Sequence, residues 1–134
     1  AYCLEYVEGI AFSEGVSSTD EPAVLVRDLT GTITAWIEVG APDAARLHYG
    51  SKLAERVAIY THRDPAKVSA AWAGKKIHRS EAIVFRSFDV GFIGDAAAAL
   101  ERRNAATVSL IDGQLYLDLN GTNLSTALHE HEIS

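Results

Sequence analysis

Acidic side chains in the first third of the chain are the residues best suited to chemistry. Asp20 and Glu21 precede Pro22 in a polar segment, and Glu38 is the only acid in the run Thr32–Val39. Carboxylates grouped at a strand end can hold a divalent cation, and Mg²⁺ in particular is bound by one or two carboxylates together with water and substrate oxygens. These three acids are therefore candidate metal ligands.

A β-hairpin is the element predicted to bring the acids together. Two runs rich in β-branched and apolar residues, Val24–Arg27 and Thr32–Val39, flank the segment Asp28–Gly31, which has the composition of a turn. A loop of two or three residues pairs the runs antiparallel and places Glu38 opposite residue 21 or 22. The hairpin therefore predicts that Glu38 and the acids before Pro22 meet at one edge of a sheet.

Close approach of Glu21 and Glu38 has an electrostatic consequence. Like charges opposite each other destabilise a sheet, so the pair favours a cation, a proton or a basic neighbour between the carboxylates. To share a metal ion, the Glu38 carboxylate must lie within about 5 Å of Asp20 or Glu21. A purely structural alternative stays open, because a strand with Thr, Trp and Glu on one face is also typical of a solvated surface.

Composition limits the class of protein. The 134 residues are 48% hydrophobic, which is enough for one globular domain with a core. No apolar run approaches the roughly 18 residues of a membrane span, and no basic region followed by an apolar stretch opens the chain. We therefore expect a cytoplasmic protein with no membrane partner, and the single Cys3 excludes a disulfide framework.

The first nine residues have the pattern of the end of a helix. Leu4 and Val7 are at helical spacing and Gly9 is a natural stop, but there is no N-cap residue before them. We therefore expect the chain to begin within a helix and to lack a native N-terminal segment.

Charge is unevenly distributed along the chain. The net charge is −6, yet residues 43–103 carry eleven Lys and Arg against seven Asp and Glu. The acidic total argues against strong non-specific binding to nucleic acid, whereas the basic middle permits a local positive surface. The alternative for this segment is that Lys and Arg simply cover solvated helix faces.

After the hairpin, helical and strand patterns alternate. Pro42 and Asp43 predict the start of a helix that continues to about Ala54. The remaining predicted elements are strands at residues 57–60 and 82–85, helices at 65–72 and 95–100, and three closing strands at 107–111, 114–119 and 124–132. Asp-Gly and Asn-Gly turns connect the last three strands.

These elements predict an α/β fold. Helices that connect strands are crossover units, whereas the closing strands form an antiparallel meander. We predict a single domain over residues 1–134, with a central mixed β-sheet flanked by helices.

Several short motifs follow one another in a fixed order. They are Gly15–Pro22, Asp28–Gly31, Trp36–Gly40, Pro42-Asp43, Arg56–Thr61, Ile77–Arg79 and Asp112–Leu117. This set resembles the YaeQ family of bacterial proteins over nearly the whole chain. The resemblance implies a restriction-endonuclease-like fold of the PD-(D/E)XK nuclease superfamily, in a family whose activity is largely uncharacterised. It also implies that an N-terminal hairpin and the start of the first helix precede the equivalent of Ala1.

The resemblance assigns roles to the acids. Nucleases of this superfamily hydrolyse phosphodiesters with Mg²⁺, which polarises the phosphate and activates water. By position, Glu38 corresponds to the acid of the (D/E)XK element, and Asp20 and Glu21 lie beside the PD element. The resemblance therefore implies Mg²⁺ as cofactor, nucleic acid as partner, and Asp20, Glu21 and Glu38 as metal ligands.

Two motif positions depart from the superfamily pattern. Ala23 stands where an Asp is expected after the proline, and Gly40 stands where a Lys is expected after the acid. A substitute lysine from the following helix can stabilise developing charge, and Lys52 is the candidate, with Arg46 and His48 on the same stretch.

These departures leave two interpretations open. The first is a divergent Mg²⁺-dependent phosphodiesterase acting on nucleic acid, with Glu38, Glu21 and Lys52 as catalytic residues. The second is a catalytically inactive nuclease-fold protein with a regulatory or interaction role, because a fold does not establish a function. The acidic total predicts weak, salt-sensitive binding to nucleic acid, and no pattern predicts an oligomeric state.

Three further polar segments are candidate sites. His129 and His131 are at i and i+2, a spacing that metals tolerate, although a solvated strand end explains them equally. The basic run Lys75–Arg79 suits either a phosphate backbone or a solvated loop. His62 follows a predicted strand end, where ligand-contacting groups occur, and it can equally cap the next helix.

Overall fold

The computed structural model describes residues 1–12 and 22–133. Its strands are β1 (Ile10–Phe12), β2 (Val24–Arg27), β3 (Ile33–Val39), β4 (Arg56–Thr61), β5 (Val84–Phe88), β6 (Ala106–Ile111), β7 (Gln114–Leu119) and β8 (Thr122–His131). Its α-helices are α1 (Ala44–Leu53), α2 (Pro65–Ala70) and α3 (Phe92–Ala98). Hydrogen-bonded neighbours follow the order β1-β2-β3-β4-β5-β8-β7-β6. The predicted α/β class, mixed sheet and closing meander are confirmed.

The chain divides into two compact units. The first comprises Ala1–Arg86 with Glu130–Ser134, and the second comprises Ser87–His129. In the described parts of both units, no helix is both long enough and apolar enough to span a membrane.

The β2–β3 hairpin of the first unit forms as predicted, but in a different register. Val26 pairs with Ala35 and Arg27 with Ile33, so Thr34 is an extra residue on β3, a β-bulge. Because Val24 pairs with Ile37, the same register sets Glu38 opposite residue 23. The prediction that Glu38 faces residue 21 or 22 is therefore wrong, since the bulge shifts β3 along β2.

A parallel crossover places α1 on the sheet. β3 and β4 pair in parallel, with Trp36 beside Val57 and Glu38 beside Ile59. α1 connects the two strands and packs against both of them. Its N-cap is Asp43, whose carboxylate accepts a hydrogen bond from the Arg46 backbone N–H at 2.8 Å. The helix predicted from Pro42 to Ala54 is confirmed, with ends displaced by one or two residues.

The core of the first unit lies between the sheet and the helices α1 and α2. Its buried members are Trp36, Ala44, Leu47, Ala54, Val57, Ile59, Val68, Trp72, Ile83 and Phe85. Gly50 of α1 lies directly over the indole of Trp36, and a Cβ at this position would lie 2.7 Å from the ring atoms Cδ2 and Cε2. The absence of a side chain at Gly50 therefore allows α1 to approach β3 closely.

Three predicted elements differ from those observed. Residues 2–5 form a turn rather than a helix, although the Glu5 N–H does donate to the Ala1 carbonyl oxygen. β5 starts at Val84 rather than at residue 82, because a 3₁₀ turn occupies Ser80–Ala82. α3 begins three residues earlier than predicted and ends two residues earlier.

The second unit contains the predicted meander. β6 pairs with β7 and β7 with β8, both antiparallel. The connecting residues Asp112-Gly113 and Asn120-Gly121 all have positive φ, between 50° and 85°. Two successive left-handed residues form a type I′ turn, whose twist matches that of the flanking strands.

Candidate functional site

Glu38 is an acid at the carboxyl end of β3 and is almost completely buried. It lies two residues after Trp36, so both side chains point to the sheet face that α1 covers. Only 3% of its surface is exposed. The chain turns away immediately afterwards at Gly40, whose φ is 96° and whose N–H donates to the Tyr60 carbonyl oxygen. Glu38 is therefore an acid at the end of a strand, as predicted, and its burial excludes the solvated surface that was the alternative.

Arg46 of α1 is the cation that reaches this acid. Its Nε donates to Glu38 Oε2 at 2.5 Å, and its side chain is 22% exposed. The Asp43 cap fixes the first turn of α1, and Arg46 is the third residue of that helix. A basic neighbour is one of the three partners expected between Glu21 and Glu38, although Glu21 itself lies outside the described residues.

Burial determines the protonation behaviour of Glu38. Desolvation raises the pKa of its carboxyl group, and the nearby Asp43 carboxylate acts in the same direction. The hydrogen bond and charge of Arg46 lower that pKa, as does a hydrogen bond from the Ala23 backbone N–H. Desolvation outweighs these effects, so the pKa stays above its ordinary value. A perturbed acid in a cleft is a frequent property of functional sites.

A cavity of about 310 Å³ opens beside Glu38. Its lining residues are Ala23, Glu38, Val39, Ala41, Pro42, Asp43 and Arg46. They come from the strand ends and from the first turn of α1, so the cavity combines two carboxylates with one guanidinium. This volume accommodates a phosphate group with its water shell or a hydrated cation.

The donor chemistry of this cavity fits Mg²⁺ in part. A carboxylate has about four lone-pair sites, so Glu38 retains capacity beyond the two hydrogen bonds that it accepts from Arg46 and Ala23. Mg²⁺ needs only one or two carboxylates because water and substrate supply the other ligands. Within residues 1–12 and 22–133, however, no group of three or more His, Cys, Asp or Glu side chains is arranged around a metal position.

The other predicted ligands lie outside the described residues. Asp20 and Glu21 fall in the segment 13–21, so their distance to Glu38 stays a prediction. The register places Ala23 opposite Glu38. Pro22, the residue before Ala23, is fully buried. In sequence, Asp20 and Glu21 directly precede Pro22.

Lys52 lies elsewhere on α1. It is exposed and is not among the residues that line the cavity. It lies six positions after Arg46, which is a rotation of roughly 240° around a helix. The structure therefore brings Arg46 to Glu38 and leaves Lys52 on another helix face, so the catalytic role assigned to Lys52 stays a prediction that no contact supports.

Lys52 belongs instead to a small basic cluster. The pKa of His48 is lowered by desolvation and by the charges of Lys52, Lys76 and His78. His48 Nδ1 accepts the His78 backbone N–H at 2.9 Å, and the two rings lie edge to face with centroids 6.4 Å apart. The predicted basic loop at residues 75–79 therefore lies against α1 and joins its positive surface.

A partly buried polar cluster lies on the sheet face opposite α1. Glu5 accepts hydrogen bonds from Arg56 Nη1 at 2.5 Å and from the Tyr60 hydroxyl at 2.6 Å, and Arg86 Nη1 donates to that same hydroxyl at 2.8 Å. Burial and the bond to Glu5 raise the pKa of Tyr60 to about 12. Sequence reasoning missed this cluster, because Glu5 and Arg56 are 51 positions apart in the chain.

The three other candidate histidines have different surroundings. His129 Nε2 lies 2.6 Å from Asp89 Oδ1, within the second unit. The His131 ring packs on Phe85 in the first unit, with centroids 5.4 Å apart. His62 is exposed. No third ligand accompanies these residues in the described part of the chain.

Comparison with known proteins gives one family. A model of the YaeQ protein family matches residues 1–128. The uncharacterized protein YaeQ of Escherichia coli (strain K12) is 26% identical over 131 residues, which cover 93% of this chain and 70% of that protein. Its counterpart in Salmonella typhi is 26% identical over 126 residues, covering 90% and 67%.

Solved structures agree with this match. The crystal structure of the YaeQ protein from Pseudomonas syringae has a TM-score of 0.80 and 26% identity, covering 96% of this chain and 72% of that chain. The YaeQ structure from Xanthomonas axonopodis pv. citri has a TM-score of 0.84 over 99% of this chain and 76% of that chain; at 19% identity, it shows the fold alone. The family match extends over nearly the whole chain, and the chain belongs to the YaeQ family.

Proposed function

We propose that this YaeQ domain is a divergent Mg²⁺-dependent phosphodiesterase with a restriction-endonuclease-like fold, acting on nucleic acid. The observation that carries the proposal is the position of Glu38. It is a buried acid with a raised pKa, at the carboxyl end of a parallel strand, and it opens onto a polar cavity. Ligand sites in α/β folds occur at this end of the strands.

Each residue of the site has a proposed role. Glu38 holds the metal ion, with Asp20 and Glu21 as further ligands from the segment before β2. When bound, Mg²⁺ polarises a phosphate oxygen and lowers the pKa of a coordinated water. Arg46 takes the role first assigned to Lys52, because its guanidinium is the cation at the acid. Arginine suits this role since it binds phosphate oxygens in a bidentate manner.

One observation favours a second function. The Arg46 guanidinium already neutralises Glu38, and Ala23 and Gly40 replace the usual motif Asp and Lys. A carboxylate paired in this way has its charge compensated without any metal ion. In this second proposal the domain is a catalytically inactive member of the nuclease fold, and the basic cluster around His48 contacts a partner.

A nuclease assay with matched variants separates the two functions. Wild type, Glu38→Gln and Glu81→Gln are incubated with single- and double-stranded DNA and RNA, with Mg²⁺, Mn²⁺ or EDTA. Glu81→Gln is the control because Glu81 is an exposed acid in a 3₁₀ turn. The phosphodiesterase proposal expects metal-dependent cleavage by wild type and Glu81→Gln, and at least a hundredfold loss in Glu38→Gln.

The contrary results are equally specific. Cleavage by Glu38→Gln at the wild-type rate would refute the role of Glu38. Absence of metal-dependent cleavage by wild type on all four substrates would favour the inactive protein. Nucleic-acid binding that Lys76→Glu abolishes and Glu38→Gln leaves intact would support the interaction role of the basic cluster.

A further inference from the structure

β6 is an edge strand whose surface is unusually open. It is the last strand in the sheet order of the described residues, and all six of its side chains are exposed. It contains no proline and no charged residue, and Val108, Leu110 and Ile111 are 39%, 49% and 58% exposed. Soluble proteins normally protect edge strands with Lys, Pro, bulges or a covering element. Among the described residues, β6 contains no Lys, no Pro and no bulge, and its side chains are not covered by another element.

The hydrogen-bonding pattern identifies which backbone groups face outward. The two-residue turn Asp112-Gly113 closes on the pair Ile111 and Gln114, and Ala105 O accepts the Asn120 N–H at 2.9 Å. Residues 105, 107, 109 and 111 therefore direct their N–H and C=O groups towards β7, because these directions alternate along an antiparallel strand. The groups of Ala106, Val108 and Leu110 point away from β7.

The same three residues have their side chains on an apolar face. Ala106 pairs with Leu119, Val108 with Leu117, and Leu110 with Leu115. Directly opposed residues point to the same side of a sheet. The outward-facing backbone groups thus belong to residues that extend a row of β7 leucines, so a strand added to this edge gains both hydrogen bonds and apolar contact.

We propose that β6 pairs antiparallel with β6 of a second copy of this chain, around a twofold axis through Val108. This register sets Val108 opposite Val108 and Ala106 opposite Leu110, so a small side chain meets a large one on the apolar face. On the other face, Thr107 meets Ser109, two hydroxyl side chains that can hydrogen-bond to each other. The inference is independent of the phosphodiesterase proposal.

The charges beside β6 favour a second copy as the occupant. Arg102 and Arg103 precede the strand, and Asp112 follows it. Antiparallel pairing brings the basic end of one copy to the acidic end of the other, at both ends of the interface. No like charges are opposed, because the strand itself carries none.

The expected dimer is weak. A pairing of six-residue strands buries less than the roughly 1,200 Å² of surface found in stable interfaces. Smaller buried areas are typical of transient complexes. We expect a dissociation constant on the order of 10 to 100 µM, between the micromolar and the millimolar range. Sedimentation velocity at increasing concentration resolves this range.

Charge variants at the axis test the register. Val108→Lys and Val108→Glu each place like charges opposite each other, so both variants are expected to stay monomeric where wild type dimerises. Their equimolar mixture restores the dimer, because Lys then faces Glu. Val90→Lys is the matched control, since Val90 is fully exposed outside β6, and it is expected to dimerise as wild type does. Circular dichroism verifies that each variant is folded.

Every outcome decides the proposal. Wild type that stays monomeric up to roughly 10⁻³ M, about tenfold above the expected range, refutes it. Dimerisation of Val108→Lys at wild-type affinity also refutes it, because this result places the interface elsewhere. Should one charged variant fail to fold, Val108→Pro takes its place. The N–H that it removes makes no bond to β7, and proline is tolerated on edge strands, so this variant is expected to fold and to abolish the dimer. A mixture of the Lys and Glu variants that stays monomeric contradicts the twofold register.

Discussion

Replacing Gly50 by Ala tests how closely α1 approaches β3, which positions Arg46 at Glu38. Alanine is favoured over glycine inside a helix by about 0.8 to 1.0 kcal/mol. At Gly50, however, the new Cβ would lie 2.7 to 2.8 Å from three atoms of the Trp36 ring, against the 3.5 to 4.0 Å of a normal contact. Trp36 is completely buried, so it cannot swing into solvent.

The net effect follows from two opposing contributions. Overpacking a buried site costs about 1 to 3 kcal/mol, and moving a whole helix by most of an ångström belongs at the upper end of this range. After the gain in helix propensity, we expect Gly50→Ala to lower the free energy of unfolding by about 1 to 2 kcal/mol. Urea unfolding, followed by circular dichroism, measures this difference.

Gly94→Ala is the matched control. Gly94 lies inside α3, and no atom lies within 4 Å of the position that its Cβ would occupy. Here the propensity gain is unopposed, so the expected effect is stabilisation by about 0.5 to 1 kcal/mol. If Gly50→Ala stabilised the protein as much as Gly94→Ala, the inferred packing of α1 on Trp36 would be wrong.

Three further predictions concern the ionisable groups Glu38, Arg46 and Tyr60. Because its pKa is raised in the fold, Glu38 binds a proton more tightly in the folded than in the unfolded state. The contribution of this proton to the free energy of unfolding is complete below the unfolded pKa of about 4.3. It is lost as the pH rises through the folded pKa. Wild type should therefore lose stability relative to Glu38→Gln as pH rises from about 4, and parallel urea-unfolding profiles would contradict this sign. Arg46→Met leaves the buried Glu38 carboxylate without its ion-pair partner and should lower the free energy of unfolding by about 3 kcal/mol. Adding Glu38→Gln to that variant should recover part of this loss. Simple additivity in a double-mutant cycle would show that Arg46 and Glu38 are not coupled. Tyr60 should ionise near pH 12, so an ultraviolet titration should show a late tyrosinate step that Tyr60→Phe removes; an unchanged titration would place Tyr60 outside the Glu5 cluster.

Local sequence patterns predicted most of the elements. The β-branched runs of β2 and β3, the Asp43 cap of α1 and the Asp-Gly and Asn-Gly turns of the meander depend on neighbouring residues alone, and each was recovered to within about two residues. Residues 2–5 were wrongly assigned to a helix, because their conformation depends on a distant partner. Glu5 is held by Arg56 and Tyr60, and nothing near Glu5 in the sequence indicates this contact.

The candidate site was predicted in part for the same reason. Glu38 could be identified because it is the only acid in its strand. Its cationic partner depends on which face of α1 meets the sheet, and the pattern of apolar residues did not distinguish Arg46 from Lys52. Gly50 contained that information: a glycine inside a helix can mark close packing, and Arg46 lies one turn before it on the same face.

The β-bulge at Thr34 is a second limit on prediction from sequence. An extra residue in one strand shifts the register of everything beyond it, and Thr34 is an ordinary strand residue by propensity. The hairpin was therefore predicted correctly, whereas the residue opposite Glu38 was not. A register shift of one residue determines whether two carboxylates on neighbouring strands face each other. Strand patterns alone therefore do not locate a metal site.

Calorimetric titration of Mn²⁺ and Mg²⁺ into the protein tests the central claim, that Glu38 is a metal ligand in a polar cavity. Wild type and Glu81→Gln are predicted to show one saturable site, and Glu38→Gln is predicted to lose it. Saturable binding of the same strength in Glu38→Gln, or none in the wild-type protein, would contradict the claim.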